Sequence, residues 1–162
     1  MSAERLDPAE VEAFRHARDE VLGRIEAAAA RAGLDPHLVT LVAVSKTVPA
    51  ERIRAAVAAG FQVLGENRVQ EAAAKILVVD GAAWHLIGPL QANKARRAVE
   101  LFDMIESVHT LELARRLAAV AAVARPGRAV PVLLQVNVDR DPAKAGFDPG
   151  TIEAGADRID YV

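Results

Sequence analysis

The sequence predicts an α/β fold of parallel β/α units. Short β-branched or apolar runs recur five times, at residues 41–44, 61–64, 84–87, 104–108 and 132–137. The stretches between them are long enough for crossover helices, which parallel strands require. No low-complexity linker interrupts the alternation, so residues 1–162 read as one domain. On this pattern alone the units fit either a doubly wound sheet or part of a barrel.

The elements follow in order. Asp7, Pro8 and Glu10 provide an N-cap, a proline at the first helical position and an acid three residues after the cap. The helix they open places Val11, Phe14, Val21, Leu22 and Ile25 on one face and stops at Gly33. After the first strand a helix runs from about Ala50 to Ala59 and ends at Gly60. The second strand leads to a helix carrying Val69, Ala73 and Ile76, with Asn67 available to cap it. Residues 93–101 read as the next helix and residues 110–125 as the one after the fourth strand, closed by Pro126 and Gly127.

Composition narrows the function classes. Of 162 residues 52% are hydrophobic but only 4% aromatic, so alanine-rich helix packing and branched strands must supply the core. Twenty basic against 22 acidic side chains leave a formal charge of -2, which argues against bulk electrostatic binding to nucleic acid or anionic membrane. The absence of cysteine removes disulfides, thiolate metal sites and a cysteine nucleophile. No His-x-x-x-His or carboxylate cluster has metal-ligand spacing, and no Walker or dinucleotide glycine loop is present. The polar first eight residues lack the apolar core of a signal peptide, and no run approaches the ~20 apolar residues of a membrane span. The expectation is a cytoplasmic protein.

Polar residues collect after each strand: Ser45, Lys46 and Thr47; Glu66, Asn67 and Arg68; residues 88–94; Glu106, Ser107 and His109; Asn137 and Asp139. In parallel α/β folds these strand ends share a rim where sites are built. Helix capping and loop bracing explain Asn67, Asn93 and Thr110 equally well. Lys46 follows a strand expected to be buried on both faces, so its amine either faces a cavity or snorkels to water. Partly apolar surroundings would favour the neutral amine that attack on an aldehyde needs. Taken alone, snorkelling is the simpler outcome. His85, inside a strand, reads as a hydrogen-bonded core imidazole or as a group facing a barrel interior near Lys46. Lys94, Arg96 and Arg97 read first as a solvated helix face.

Four blocks carry a family resemblance: Leu41 to Lys46; Gly65-Glu66-Asn67-Arg68-Val69-Gln70-Glu71; His85 to Lys94; and Gln135-Val136-Asn137 followed by Lys144-Ala145-Gly146-Phe147. In order and spacing they resemble the pyridoxal phosphate homeostasis proteins, over about residues 41–148. The resemblance implies a parallel (β/α) barrel of the alanine racemase N-terminal type that binds pyridoxal 5'-phosphate. Lys46 matches the Schiff-base lysine, and Asn67, His85, Ser107 and Asn137 match positions lining the cofactor side. It further implies a cofactor carrier without a robust catalytic cycle, whose recipients are apo enzymes that use the cofactor. An amino-acid racemase or Schiff-base lyase using the same lysine is the alternative, and it needs a second acid/base opposite the cofactor. A scaffold that has lost the cofactor is a third reading.

An eight-unit barrel typically takes ~250 residues, so this sequence is expected to supply about five to six of eight units and to lack the C-terminal third. Residues 159–162 are the candidate sixth strand. The phosphate-cradling loops of the family would lie in that missing part, so weakened cofactor affinity is expected. Self-association through open barrel edges is expected as well.

Overall fold

The computed structural model describes residues 6–150, and the candidate strand at residues 159–162 lies outside them. Five helices alternate with five strands: α1 (Pro8–Ala32), β1 (Ala43–Val44), α2 (Ala50–Ala58), β2 (Val63–Glu66), α3 (Val69–Ile76), β3 (Ala83–Leu86), α4 (Ala95–Leu101), β4 (Met104–Val108), α5 (Leu111–Ala124) and β5 (Val132–Leu134). The strands are hydrogen-bonded in chain order, β1-β2-β3-β4-β5, and pair in parallel. A doubly wound sheet needs a point where strand order reverses. No reversal occurs here, so the winding is that of a barrel-type β/α fold. The described chain divides into two compact units, residues 6–65 with 74–83 and residues 66–73 with 84–150.

In the first unit, the Asp7 carboxylate accepts the Ala9 N–H at 2.9 Å and Pro8 opens α1, as the sequence predicts. Gly33 ends the helix at φ 67°, a left-handed conformation that a residue with a Cβ adopts at a cost. The expected apolar face of α1 is only half-buried, and Ala29 is its fully buried position. Phe14 instead meets the ring edge of Phe61 at 6.4 Å between centroids. Arg52 of α2 lies 5.6 Å above Phe14 and pairs with Glu10 at 2.7 Å, tying α2 to α1. Ile53, Ala55, Ala59, Leu64 and Val79 form the buried core of this unit.

Two strand expectations need correction here. The second strand begins at Val63, not Phe61, because the Phe61 N–H donates to Ala56 O and so completes the end of α2 behind Gly60. The first strand holds two ladder residues, Ala43 and Val44, paired with Leu64 and Gly65. It is not buried on both faces: β1 ends the strand order, and Val44 is 53% exposed.

In the second unit, β3 pairs His85 with Met104 and Leu86 with Ile105, while β4 pairs Ile105 with Val132 and Val108 with Leu134. Trp84, Leu86, Val99, Phe102, Ile105, Val108, Leu113 and Leu117 are buried. A large apolar side chain fully buried in this way contributes about 1.5–3 kcal/mol relative to exposure. Thr110 caps α5 by accepting the Leu113 N–H at 3.1 Å. Asn93 caps nothing, because a 3-10 turn at Ala92–Lys94 precedes α4. The fifth strand ends at Leu134; the Gln135 N–H still donates to Val108 O at 2.8 Å, and beyond it the chain bonds Phe147, whose N–H donates to Gln135 O and whose carbonyl accepts the Asn137 N–H.

Candidate functional site

Lys46 lies in the first unit and Asn67, His85, Ser107 and Asn137 in the second, so each is described within its own unit. Lys46 occupies the second position of a four-residue turn leaving β1, closed by the Val48 N–H donating to Ser45 O at 3.1 Å. Thr47 takes the third position at φ 62°. A turn of this kind suits glycine or asparagine there, and a β-branched residue holds it only when its surroundings enforce it. The surroundings do. Ser45 is buried, and both its N–H and its hydroxyl donate to Gly65 O, at 2.9 and 3.2 Å. The Lys75 ammonium donates to Ser45 O at 2.7 Å. Lys46 itself is exposed, on a turn whose backbone these bonds hold.

Lys75 is 7% exposed and the sequence reading passed over it. The buried positions of residues 69–79 are Val69, Ala72, Lys75 and Val79, not the expected stripe of Val69, Ala73 and Ile76. A lysine at three-residue spacing from apolar neighbours was the available signal.

In the second unit the segments after β2, β3 and β4 meet closely. The Ile87 N–H donates to the carbonyl of the fully buried Glu66 at 2.9 Å. Asn67 is half-buried, and its backbone presses on Gly88: a Cβ at Gly88 would lie 2.4 Å from Asn67 O. The buried Ser107 hydroxyl donates to Gly88 O at 2.6 Å. His109 Nδ1 donates in turn to Ser107 O at 3.0 Å. Ser107, within β4, therefore ties that strand to the loop after β3 and has only its oxygen lone pairs left to offer a ligand.

His85 is a hydrogen-bonded imidazole, with Nδ1 2.7 Å from Glu106 Oε1. Asn137 braces its own loop. Its Nδ2 donates to Asp141 O at 2.8 Å and Lys144 O at 3.2 Å, while its Oδ1 accepts the Asp141 N–H. That loop closes on Gly146, at φ 144°, where a Cβ would stand 2.6 Å from Asn137 N.

A groove of about 710 Å³ runs beside these loops, with Asn67, Arg68, Gln91, Lys94 and His109 in its lining and no carboxylate among the described residues that line it. Lys94 thus separates from Arg96 and Arg97, which pair with Glu100 on the surface of α4 at 3.1 and 3.3 Å. The Arg96 guanidinium, followed by that of Arg97, holds the Glu100 carboxyl below its ordinary value. Among the described residues no group of His, Asp and Glu is placed to hold a metal ion, and no helix is long and apolar enough to cross a membrane.

Residues 19–161 match the family model described as alanine racemase, N-terminal domain. The chain is 43% identical over 139 residues to the pyridoxal phosphate homeostasis protein of Escherichia coli, an alignment covering 82% of this chain and 58% of that one. It therefore spans less than two thirds of that relative's length. PipY of Synechococcus elongatus, solved with PLP bound, aligns at 43% identity and TM-score 0.69, over 86% of this chain and 64% of PipY. An unknown protein from Bifidobacterium adolescentis aligns at 34% identity and TM-score 0.82, over 99% of this chain and 69% of that one.

Proposed function

This chain belongs to the alanine racemase N-terminal domain family, and on that premise we propose that it binds pyridoxal 5'-phosphate through Lys46 and serves its homeostasis inside the cell. The observation that carries the reading is the exposed Lys46 amine on a turn whose backbone is fixed by the Val48 N–H and the Lys75 ammonium. An accessible primary amine at a strand end fits the aldehyde of that cofactor. When bound, the cofactor supplies the aldehyde carbon that forms a reversible carbon–nitrogen bond to Nζ with loss of water. The names of the E. coli relative and of PipY point the same way.

The second unit offers hydrogen-bonding groups of its own. The imidazole of His85, oriented by Glu106, offers one hydrogen-bonding nitrogen, Nε2. Asn67 is half-buried, with its backbone against Gly88. Ser107 and Asn137 hold the loops on which such contacts depend. Arg68 and Lys94, which line the groove, suit an anionic group.

The carrier reading assigns no turnover, and its recipients are apo enzymes that use the cofactor. Val44 of β1 and Val132 and Leu133 of β5 expose apolar surface on the end strands, the basis for self-association as a further contact. Sedimentation over a concentration series checks that contact.

The function is tested by titrating the chain with pyridoxal 5'-phosphate, following the visible absorption band, then reducing with borohydride and mapping the labelled peptide. Label on Lys46 that Lys46→Ala abolishes is the expected result. Equal labelling of wild type and variant overturns the assignment. Racemisation of any member of an amino-acid panel, dependent on Lys46, would replace the carrier reading with the enzymatic one.

A further inference from the structure

We infer that Lys75 is a positioning residue for Lys46: its buried ammonium, 2.7 Å from Ser45 O, fixes the turn that presents the Lys46 amine. The inference rests on Lys46 being the attachment point. A lysine is almost never buried without a strong partner, since removing an ammonium from water carries a large desolvation penalty. Here the ammonium is directed at the carbonyl that also closes the Lys46 turn. That oxygen has two lone pairs. One accepts the Val48 N–H at 3.1 Å and the other accepts Lys75.

The arrangement has a specific purpose, because the turn is strained. Thr47 stands at φ 62°, where its branched Cβ crowds the backbone. Without the Lys75 donor the turn is freer to relax toward an extended Thr47 and to swing Lys46 with it. A charged donor on the same carbonyl makes that relaxation cost a charge-assisted hydrogen bond as well. Ser45 secures the other side of the turn through its two bonds to Gly65 O. Lys75 lies 29 residues along the chain from Lys46 and touches the turn through its tip, so it does not itself attack a carbonyl group in this scheme.

The test separates positioning from folding. Lys75→Met keeps the aliphatic stem and removes the donor, and Thr47→Gly removes the backbone strain that the donor opposes. In the cofactor-free protein, hydrogen exchange of the Val48 amide reads the turn directly. Labelling of Lys46 by pyridoxal, which has no phosphate, with borohydride and peptide mapping reads the amine. Lys75→Met is expected to raise Val48 exchange about tenfold or more and to cut Lys46 labelling. Adding Thr47→Gly is expected to restore both, since glycine holds φ near +60° without help. Unchanged Val48 exchange in folded Lys75→Met overturns the inference. So does a Lys75→Met chain, folded or unfolded, that Thr47→Gly does not restore. If Val48 responds as expected but wild-type Lys46 takes no label, the positioning role stands and the attachment reading falls.

Discussion

His85 Nδ1 and Glu106 Oε1 lie 2.7 Å apart, joining adjacent strands β3 and β4. The carboxylate accepts only, so the proton of the neutral imidazole is fixed on Nδ1 and Nε2 is left as an acceptor. Glu106→Ala removes the orienter. Imidazole nitrogen shifts measured by NMR are expected to show a single Nδ1–H tautomer in the wild type and a mixture in the variant. The loss in stability should be about 1 kcal/mol by chemical denaturation, because the pair is partly open to water. A wild-type imidazole found as the Nε2–H tautomer would sink this description.

Gly88, just after β3, meets both the loop after β2 and strand β4. A methyl there would stand 2.4 Å from Asn67 O and 2.6 Å from Asn67 Cα, and the obstruction is backbone, which cannot rotate away. Gly88→Ala should therefore cost about 1–3 kcal/mol, the range of a forced overpacking. Ser107→Ala, which removes the 2.6 Å bond to the same residue's carbonyl, should cost about 1 kcal/mol. The two sites share a partner, so the double variant should be less destabilised than the sum. Strict additivity in urea unfolding would show that the loops are not joined in this way.

What the sequence revealed and what it hid follow from the range of the interactions involved. The caps at Asp7 and Thr110 were legible because a capping side chain reaches only two or three residues along its own chain. The β/α alternation was legible for the same reason, since periodicity is local. The start of β2 was misplaced by two residues because Phe61 looks like a strand residue, whereas its position is set by Ala56 behind it and Phe14 from α1. Lys75 stayed hidden because its partner lies 30 residues away in a different element. Strand order, which chose barrel-type winding over the doubly wound alternative, is not a local property at all. Asn137 was marked as a site position, yet its amide braces a loop, a role indistinguishable from ligand binding until the loop's fold is known.

Glu100 gives a pH signature. With Arg96 and Arg97 holding its folded-state carboxyl below the unfolded value, the pairing stabilises fully above the unfolded value and is lost as pH falls through the folded one. Glu100→Gln should therefore melt slightly below the wild type at neutral pH. The gap should close on acidification below the ordinary carboxylate range. High salt should also narrow it, since both arginines lie at the surface. A gap that widens toward acid would contradict the sign.

The loop from Asn137 to Phe147 depends on two residues that fail in different ways. Gly146 adopts φ 144°, and a Cβ would meet Asn137 N at 2.6 Å and Val136 C at 2.9 Å, so Gly146→Ala meets both backbone strain and collision. The Phe147 N–H to Gln135 O and Asn137 N–H to Phe147 O bonds would then have to lengthen or break together. Asn137→Ala leaves those backbone bonds possible but removes three side-chain bonds to Asp141 and Lys144. Gly146→Ala should open the loop along its whole length, whereas Asn137→Ala should loosen only residues 138–144. Limited proteolysis is expected to cleave early at Lys144 and Arg140 in both variants, and hydrogen exchange distinguishes them, with loss of amide protection at Phe147 confined to Gly146→Ala. Phe147 protection that survives Gly146→Ala would mean that the chain beyond Asn137 is held by contacts other than these two bonds.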